Sequence, residues 1–297
     1  MDFILYWFAK TVVTFLQALP LRVVARISRT GGAIAFWLDA RHRRVAIRNL
    51  TMCFPEKSAA EVRAIAKENF RRLGENYICS IKTAGMTPEE LKPHFSFVGT
   101  EKILPRELNA AGPQSRVVAL GHFGNFELYA RFSQFVPNFQ GAATYRALRQ
   151  PGLNRLLREL RDQSGCRFFE RRSEAAALKA SMMSTGLLLG LMVDQHSSLG
   201  ALRLPFFGHE CSVNAATAVF AMRYHCPLHT AVCYRTGLAQ WQIEVGDEIP
   251  TRTNSQPRAI GEIMMDVNRA LETAIRRDPA NWFWVHNRWK PVKPSRT

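Results

Sequence analysis

A short apolar run in the middle of the chain places the strongest limit on the fold. Residues 187–193 read LLLGLMV, and the run stops at Asp194. A run of this length fits a strand that is covered on both faces, which is typical of parallel sheets. Val117–Leu120 repeats the pattern, and helical periodicity lies between the two runs. This alternation predicts an α/β fold with a central, mainly parallel sheet flanked by helices.

Periodicity and end signals predict the other elements. Apolar residues recur at three- and four-residue steps from Ser58 to Lys82, and Ser58 with Glu61 makes a capping box. Residues 21–50 are predicted as helix broken at Gly31-Gly32. Further helices are predicted over residues 125–135, 153–163, 174–184, 213–224 and 260–276, and further strands over 95–98, 167–169, 228–234 and 241–245.

The chain begins with an apolar segment that sets its domain organisation. Residues 3–19 read FILYWFAKTVVTFLQAL, close to the short limit for a helix that spans a bilayer, with Lys10 near the middle. We interpret residues 1–22 as an uncleaved membrane-anchoring helix, either marginally spanning or lying in the interface. The alternative is a buried helix of a soluble core. Residues 23–297 are predicted to form a single domain.

Charge points to anionic partners. The net charge is +16 over 297 residues, and the basic residues are spread along the chain. A zinc-finger spacing or an RNA-recognition signature is not found, so nucleic acid is not the predicted partner. Six cysteines occur without a C-x-x-C pair. They are interpreted as reduced buried thiols, and no metal site is predicted.

The chemistry is predicted to lie in the tract Gly121–Glu127, which reads GHFGNFE. His122 follows a buried strand, and active sites of open α/β sheets lie beyond the carboxyl ends of strands. Asn125 is a natural N-cap, so Glu127 falls in the first turn of the next helix. A carboxylate there can orient the imidazole, whose other nitrogen then accepts a proton from a hydroxyl. The alternative is a structural histidine bonded to the backbone.

Other candidate site residues lie near predicted element ends. Arg146, Arg171 and Arg172 can hold a phosphate or a carboxylate if they converge near His122. Asp194 is interpreted as scaffolding, able to hold an arginine or the His122 loop, with an N-cap as the alternative. Gly-x-Ser-x-Gly and phosphate-loop patterns are not found, so a covalent serine route is disfavoured.

Five blocks in this order resemble a known family. They are GHFGNFE at residues 121–127, Tyr145-Arg146, Arg171-Arg172, Val193-Asp194-Gln195 with PFFG at 205–208, and WFWVHNRWK at 282–290. The chain is similar, from about Phe3 to Lys290, to the lysophospholipid acyltransferase superfamily. Within it, the chain resembles the bacterial late lipid A acyltransferases (lauroyl and myristoyl transferases). It departs from the family pattern at Phe126, where Trp is usual, and at Ala147, where Pro is common.

This resemblance implies a membrane-associated O-acyltransferase with His122 and Glu127 as catalytic residues. Substrate contacts are expected from a further set of residues, namely Asn125, Arg146, Arg171, Arg172, Asp194 and Gln195. The implied donor is acyl–acyl carrier protein, with acyl-CoA as the alternative. The implied acceptor is an anionic lipid A precursor at the cytoplasmic face of a bacterial inner membrane. No metal or redox cofactor is expected.

Two alternatives remain open. The same chemistry can act on a lysophospholipid, a glycolipid or an aminolipid. A protein that keeps the fold without catalysis can instead bind membranes or RNA through its positive charge.

Overall fold

The computed structural model describes residues 2–104, 113–136, 138–184, 186–197 and 201–290. Its helices are α1 Asp2–Ala18, α2 Leu21–Leu38, α3 Ala40–Cys53, α4 Ala59–Ala84, α5 Pro88–Leu91, α6 Pro151–Asp162, α7 Ala175–Met182, α8 Ala216–Arg223 and α9 Ile260–Arg277. Its main strands are β1 Phe95–Val98, β2 Arg116–Leu120, β3 Gln140–Tyr145, β4 Arg167–Glu170, β5 Leu187–Met192, β6 Leu202–Phe206, β7 His209–Val213, β8 Leu228–Gly237 and β9 Gln240–Val245.

A seven-stranded sheet forms the centre, in the order β1-β9-β8-β2-β5-β3-β4. Neighbouring strands are parallel except for the β8–β9 hairpin. All five residues of β2 are buried, as expected for a strand covered on both faces. The predicted α/β class with a mainly parallel sheet flanked by helices is therefore confirmed. The strand predicted at residues 95–98 lies at the edge.

Several local predictions need correction. Helix α2 runs unbroken through Gly31-Gly32, and the chain breaks instead at Asp39, whose side chain accepts a hydrogen bond from the N–H of His42 to cap α3. The helix predicted over 213–224 begins later, because His209–Val213 forms an antiparallel pair with β6. The capping box of Ser58 and Glu61 at the start of α4 is confirmed.

Helix α1 is docked on the rest of the fold along one side. The Tyr6 hydroxyl and the Lys10 ammonium both donate to Glu159 of α6, at 2.9 and 2.8 Å. Its other side is exposed and aromatic, with Trp7 52% and Phe8 68% accessible. Among the described residues, no helix has the length and hydropathy needed to cross a bilayer.

Helices α2 and α4 pack at close range through two glycines. A Cβ at Gly32 would lie 2.2 Å from the Phe70 carbonyl oxygen, and one at Gly74 would lie 2.3 Å from the Ser28 carbonyl oxygen. The two backbones can approach this closely because Gly32 and Gly74 carry no side chains. Helix α2 therefore packs directly against α4.

A buried carboxylate ties these helices to the sheet. The Glu75 side chain is fully buried and accepts from Arg29 of α2 at 3.1 Å and from Arg235 of β8 at 2.7 Å. Its second oxygen accepts from the N–H of Ala239 at 2.8 Å. A buried charge persists when it is paired and hydrogen-bonded in this way. Glu75 thus fixes α2 and α4 relative to β8, the strand that pairs with β2.

Candidate active site

Two glycines shape the loop that follows β2. Gly124 has φ of +51°, and a Cβ there would lie 2.4 Å from the Cys233 carbonyl oxygen. A Cβ at Gly121 would lie 2.4 Å from the Phe123 ring. The N–H of Gly124 donates to the Asn281 carbonyl at 3.2 Å. The loop is therefore fixed on both sides, and it presents the His122 side chain beyond the carboxyl end of the sheet.

The carboxylate that holds His122 belongs to Asp194. Its Oδ1 lies 2.7 Å from the imidazole Nδ1, and its Oδ2 accepts from the backbone N–H of His122 at 2.7 Å. Asp194 follows β5, which pairs with β2 in parallel, so the two strand ends lie side by side. The sheet thus brings together two residues that are 72 positions apart.

Asp194 is buried yet ionised. A third donor, the indole N–H of Trp282, lies 2.8 Å from Oδ2, and the side chain is 1% exposed. Burial alone would raise the pKa of Asp194, but the charge and hydrogen bonds of His122, together with the charge of Arg288, lower it to about 2. A permanent anion at Nδ1 stabilises the imidazolium that forms when the ring takes a proton.

The contacts also set the tautomer of His122. Nδ1 faces an anion that can only accept, so Nδ1 carries the hydrogen. Nε2 is left as an acceptor, and the Gln195 amide nitrogen lies 3.3 Å from it. The rings of Phe126 and Phe283 flank the imidazole at 4.9 and 5.7 Å. The site therefore presents an imidazole whose Nε2 is directed away from Asp194.

The predicted pairing of His122 with Glu127 is corrected by these contacts. Glu127 forms a two-point ion pair with Arg161 of α6, at 2.6 and 3.1 Å. The segment Phe126–Gln134 is a 3₁₀ helix and not the predicted α-helix, so its residues point in different directions from those expected. Asn125 occupies the N-cap position but its side chain makes no capping hydrogen bond, and its NH₂ group donates to the Thr83 hydroxyl at 3.2 Å.

The three predicted arginines lie further along the same sheet edge. Arg146 follows β3 and Arg171-Arg172 follow β4, whose last residues Tyr145 and Glu170 are register partners. In the strand order β2-β5-β3-β4, the ends of β3 and β4 lie two and three strands from the end of β2, which is roughly 10 and 14 Å across the sheet at a strand spacing of about 4.8 Å. All three arginines are exposed. They form a cationic rim beside the site and do not surround the imidazole.

An apolar groove extends to Phe283, one of the two rings that flank the His122 imidazole. It has a volume of about 750 Å³ and is lined by α1, α2, α4 and Phe283. Tyr77 of α4 belongs to its wall and packs on Phe126 at 5.6 Å. Phe283 thus lies between the groove and the His122 imidazole, and it contacts the imidazole at 5.7 Å.

Sequence reasoning missed several of these residues. Trp282 was one of three tryptophans in the terminal block. Trp282 and Trp284 are buried in the core, in a segment that is not a strand. Arg161 and Tyr77 carried no signal beyond helical periodicity. The one available clue was the position of Asp194 at the end of the most apolar strand.

Fold and site together place a histidine and a buried carboxylate at the carboxyl end of a mainly parallel sheet, an arrangement that enzymes use for acid–base chemistry. The profile described as "Bacterial lipid A biosynthesis acyltransferase" matches residues 2–291. The chain belongs to this family and is an acyltransferase.

Characterised relatives have related names. The chain is 23% identical to the lipid A biosynthesis palmitoleoyltransferase of Escherichia coli K12, over 98% of this chain and 93% of the relative. It is 25% identical to the lauroyltransferase of the same organism, over 96% and 91%. It is 31% identical to the myristoyltransferase of that organism, over 33% and 31%.

Proposed function

We propose that this protein transfers a fatty acyl chain from an acyl thioester to a hydroxyl of a lipid A precursor. The observation that carries the proposal is the His122–Asp194 pair, whose imidazole contacts Phe283 in the wall of an apolar groove and turns Nε2 away from Asp194. The names of the relatives support the acceptor class. The donor is assigned to acyl carrier protein, an acidic partner that suits a chain with net charge +16.

The proposed reaction follows from the geometry. Nε2 of His122 takes the proton of the acceptor hydroxyl as its oxygen attacks the thioester carbonyl carbon. Asp194 stabilises the imidazolium, and we assign binding of the oxyanion to backbone N–H groups of residues 125–126. When the intermediate collapses, the carbon–sulfur bond breaks and the imidazolium returns its proton to the leaving thiolate. An ester and a free thiol result.

Three further features of the site are assigned roles in this reaction. The groove takes an acyl chain whose reactive end lies near Phe283 and His122. Gln195 holds Nε2 until the acceptor hydroxyl replaces it. The Glu127–Arg161 pair fixes the 3₁₀ segment on α6 and so supports the His122 loop. This revises the dyad expected from the spacing, because Asp194 takes the orienting role.

We assign the protein to the cytoplasmic face of a bacterial inner membrane. The support is the exposed side of α1, where Phe3, Trp7, Phe8 and Phe15 are each more than half accessible. Aromatic side chains of this kind favour the bilayer interface. The helix is 17 residues long and is docked by Glu159, so we place it in the interface and not across the membrane.

The donor assignment predicts a selective effect of charge reversal at the cationic rim. Replacing Arg146, Arg171 and Arg172 together with Glu should raise KM for acyl–acyl carrier protein roughly tenfold or more, because opposite charge speeds encounter with an acidic partner. KM for an acyl-pantetheine thioester, which lacks the carrier, should stay within about twofold of the wild-type value. Steady-state acyl transfer into a lipid A precursor measures both.

A matched control carries the same charge change elsewhere, at Arg223, Arg252 and Arg269. It should leave both KM values near wild type. An equal rise in KM for the two donors would show that the rim contributes to acceptor binding or to folding, and not to binding of the carrier protein. Transfer to lysophospholipid, but not to the lipid A precursor, would overturn the acceptor assignment.

A further inference from the structure

The turn between α2 and α3 carries an exposed apolar tip. Trp37 is 57% and Leu38 79% accessible at the end of α2. Large apolar side chains that stand this far into solvent next to one another usually mark a contact surface. We call this turn, with the cations around it, the α2–α3 corner.

Cations surround this tip. The Arg63 guanidinium lies 5.2 Å from the centre of the Trp37 ring, and the Lys67 ammonium lies 5.9 Å from it. Arg41 and Arg44 are exposed in the first turns of α3. The neighbouring carboxylate, Asp39, is engaged by His42 at 2.6 Å. The corner therefore combines an apolar tip with positive charge.

The corner and α1 border the same groove. Its wall includes Val12 and Phe15 of α1 at one side, and Asp39 and His42 at the corner. An apolar stripe on α2 connects the two sites, made of exposed residues at helical spacing, namely Val23, Ile27, Ile34 and Leu38. The groove wall and the stripe on α2 thus link α1 to the corner.

We propose that the α2–α3 corner is a second bilayer contact, which selects anionic phospholipid and, with α1, turns the groove toward the membrane. Trp37 and Leu38 enter the headgroup region, where tryptophan is favoured. The surrounding arginines and lysine meet lipid phosphates. This inference rests on the proposed membrane association through α1, and it adds the orientation that lets a lipid enter the groove laterally.

Vesicle binding of the full-length protein tests the corner. Vesicles of phosphatidylcholine with roughly 30% phosphatidylglycerol, a fraction that gives an anionic surface, are compared with pure phosphatidylcholine by cosedimentation. The Arg41→Gln/Arg44→Gln variant should bind the anionic vesicles roughly 30-fold more weakly than wild type. Trp37→Ser/Leu38→Ser should weaken binding to both kinds of vesicle. Arg223→Gln/Arg252→Gln, with the same loss of charge, should bind as wild type does.

The outcomes separate this inference from the proposed function. If wild-type protein binds vesicles and Phe8→Ser/Phe15→Ser does not, while both corner variants bind normally, the corner is not a bilayer contact. If wild type binds neither vesicle, the membrane assignment itself fails. Loss of RNA binding with intact vesicle binding in the corner variants would assign the corner to nucleic acid and overturn the inference. Acyl transfer in detergent micelles should be unchanged in the corner variants, which shows that they fold.

Discussion

Replacing Asp194 with Asn is expected to lower the rate of acyl transfer by about 10³- to 10⁴-fold while the fold is retained. Two donors, the His122 backbone N–H and the Trp282 indole, both bind Oδ2. The amide oxygen of Asn must occupy that position, so its NH₂ group faces Nδ1. Nδ1 then has to accept, and the proton moves to Nε2, where the ring can no longer act as a base. Purified protein assayed with acyl–acyl carrier protein gives the rate.

Glu127→Gln is the matched control for this substitution, since it removes a carboxylate from the same neighbourhood. The Glu127 carboxylate accepts a hydrogen bond from Arg161 at 2.6 Å. The Glu127→Gln variant should therefore loosen the packing of the 3₁₀ segment on α6 and lower the rate of acyl transfer roughly tenfold. Arg161→Gln should behave in the same way. If Glu127→Gln is the more damaging of the two carboxylate changes, Glu127 acts on the imidazole in the working enzyme and the assignment to Asp194 is wrong.

Gly32→Ala is expected to destabilise the protein by about 3 kcal/mol or more, whereas Gly31→Ala stabilises it. The new Cβ at Gly32 would sit 2.2 Å from the Phe70 carbonyl oxygen and 2.9 Å from the Arg71 Cα, so two helices must separate. Gly31 is the neighbouring position in α2, and a Cβ there would meet no atom within 4 Å. At that position the better helix propensity of alanine should add up to about 1 kcal/mol.

Urea denaturation of the two single variants and wild type checks this pair. Equal stabilities for Gly31→Ala and Gly32→Ala would show that α2 and α4 do not pack as closely as described. Gly74→Ala should resemble Gly32→Ala, because its Cβ would lie 2.3 Å from the Ser28 carbonyl oxygen. Gly32 and Gly74 therefore report on one interface from both sides, and Gly31 is the control outside it.

The sheet and most helices follow from local sequence. Short apolar runs such as residues 187–193 favour a strand covered on both faces, and Ser58 with Glu61 starts α4 where the capping box predicts. The incorrect predictions also have physical reasons. Gly31-Gly32 was interpreted as a helix break because glycine weakens isolated helices. Here packing against α4 requires a small residue at Gly32, and tertiary contact overrides propensity.

The site was predictable only in part, because its partners are distant in sequence. His122 was found from its place after a strand, next to two glycines. Its partner depends on β2 and β5 being neighbours, and strand order cannot be read from periodicity. The spacing of His122 and Glu127 instead suggested a local pair. Glu127 is close to His122 in sequence, but the order of the strands places Asp194, 72 residues away, against the imidazole.

A single-turnover experiment with His122→Asn tests the central claim most directly. Enzyme in excess over labelled acyl–acyl carrier protein is mixed with a lipid A precursor, and formation of the new ester is followed before product release. Because Asn cannot take a proton from the hydroxyl, the rate should fall at least ~10³-fold while circular dichroism stays unchanged. Transfer within tenfold of the wild-type rate would contradict the assignment of His122 as the base.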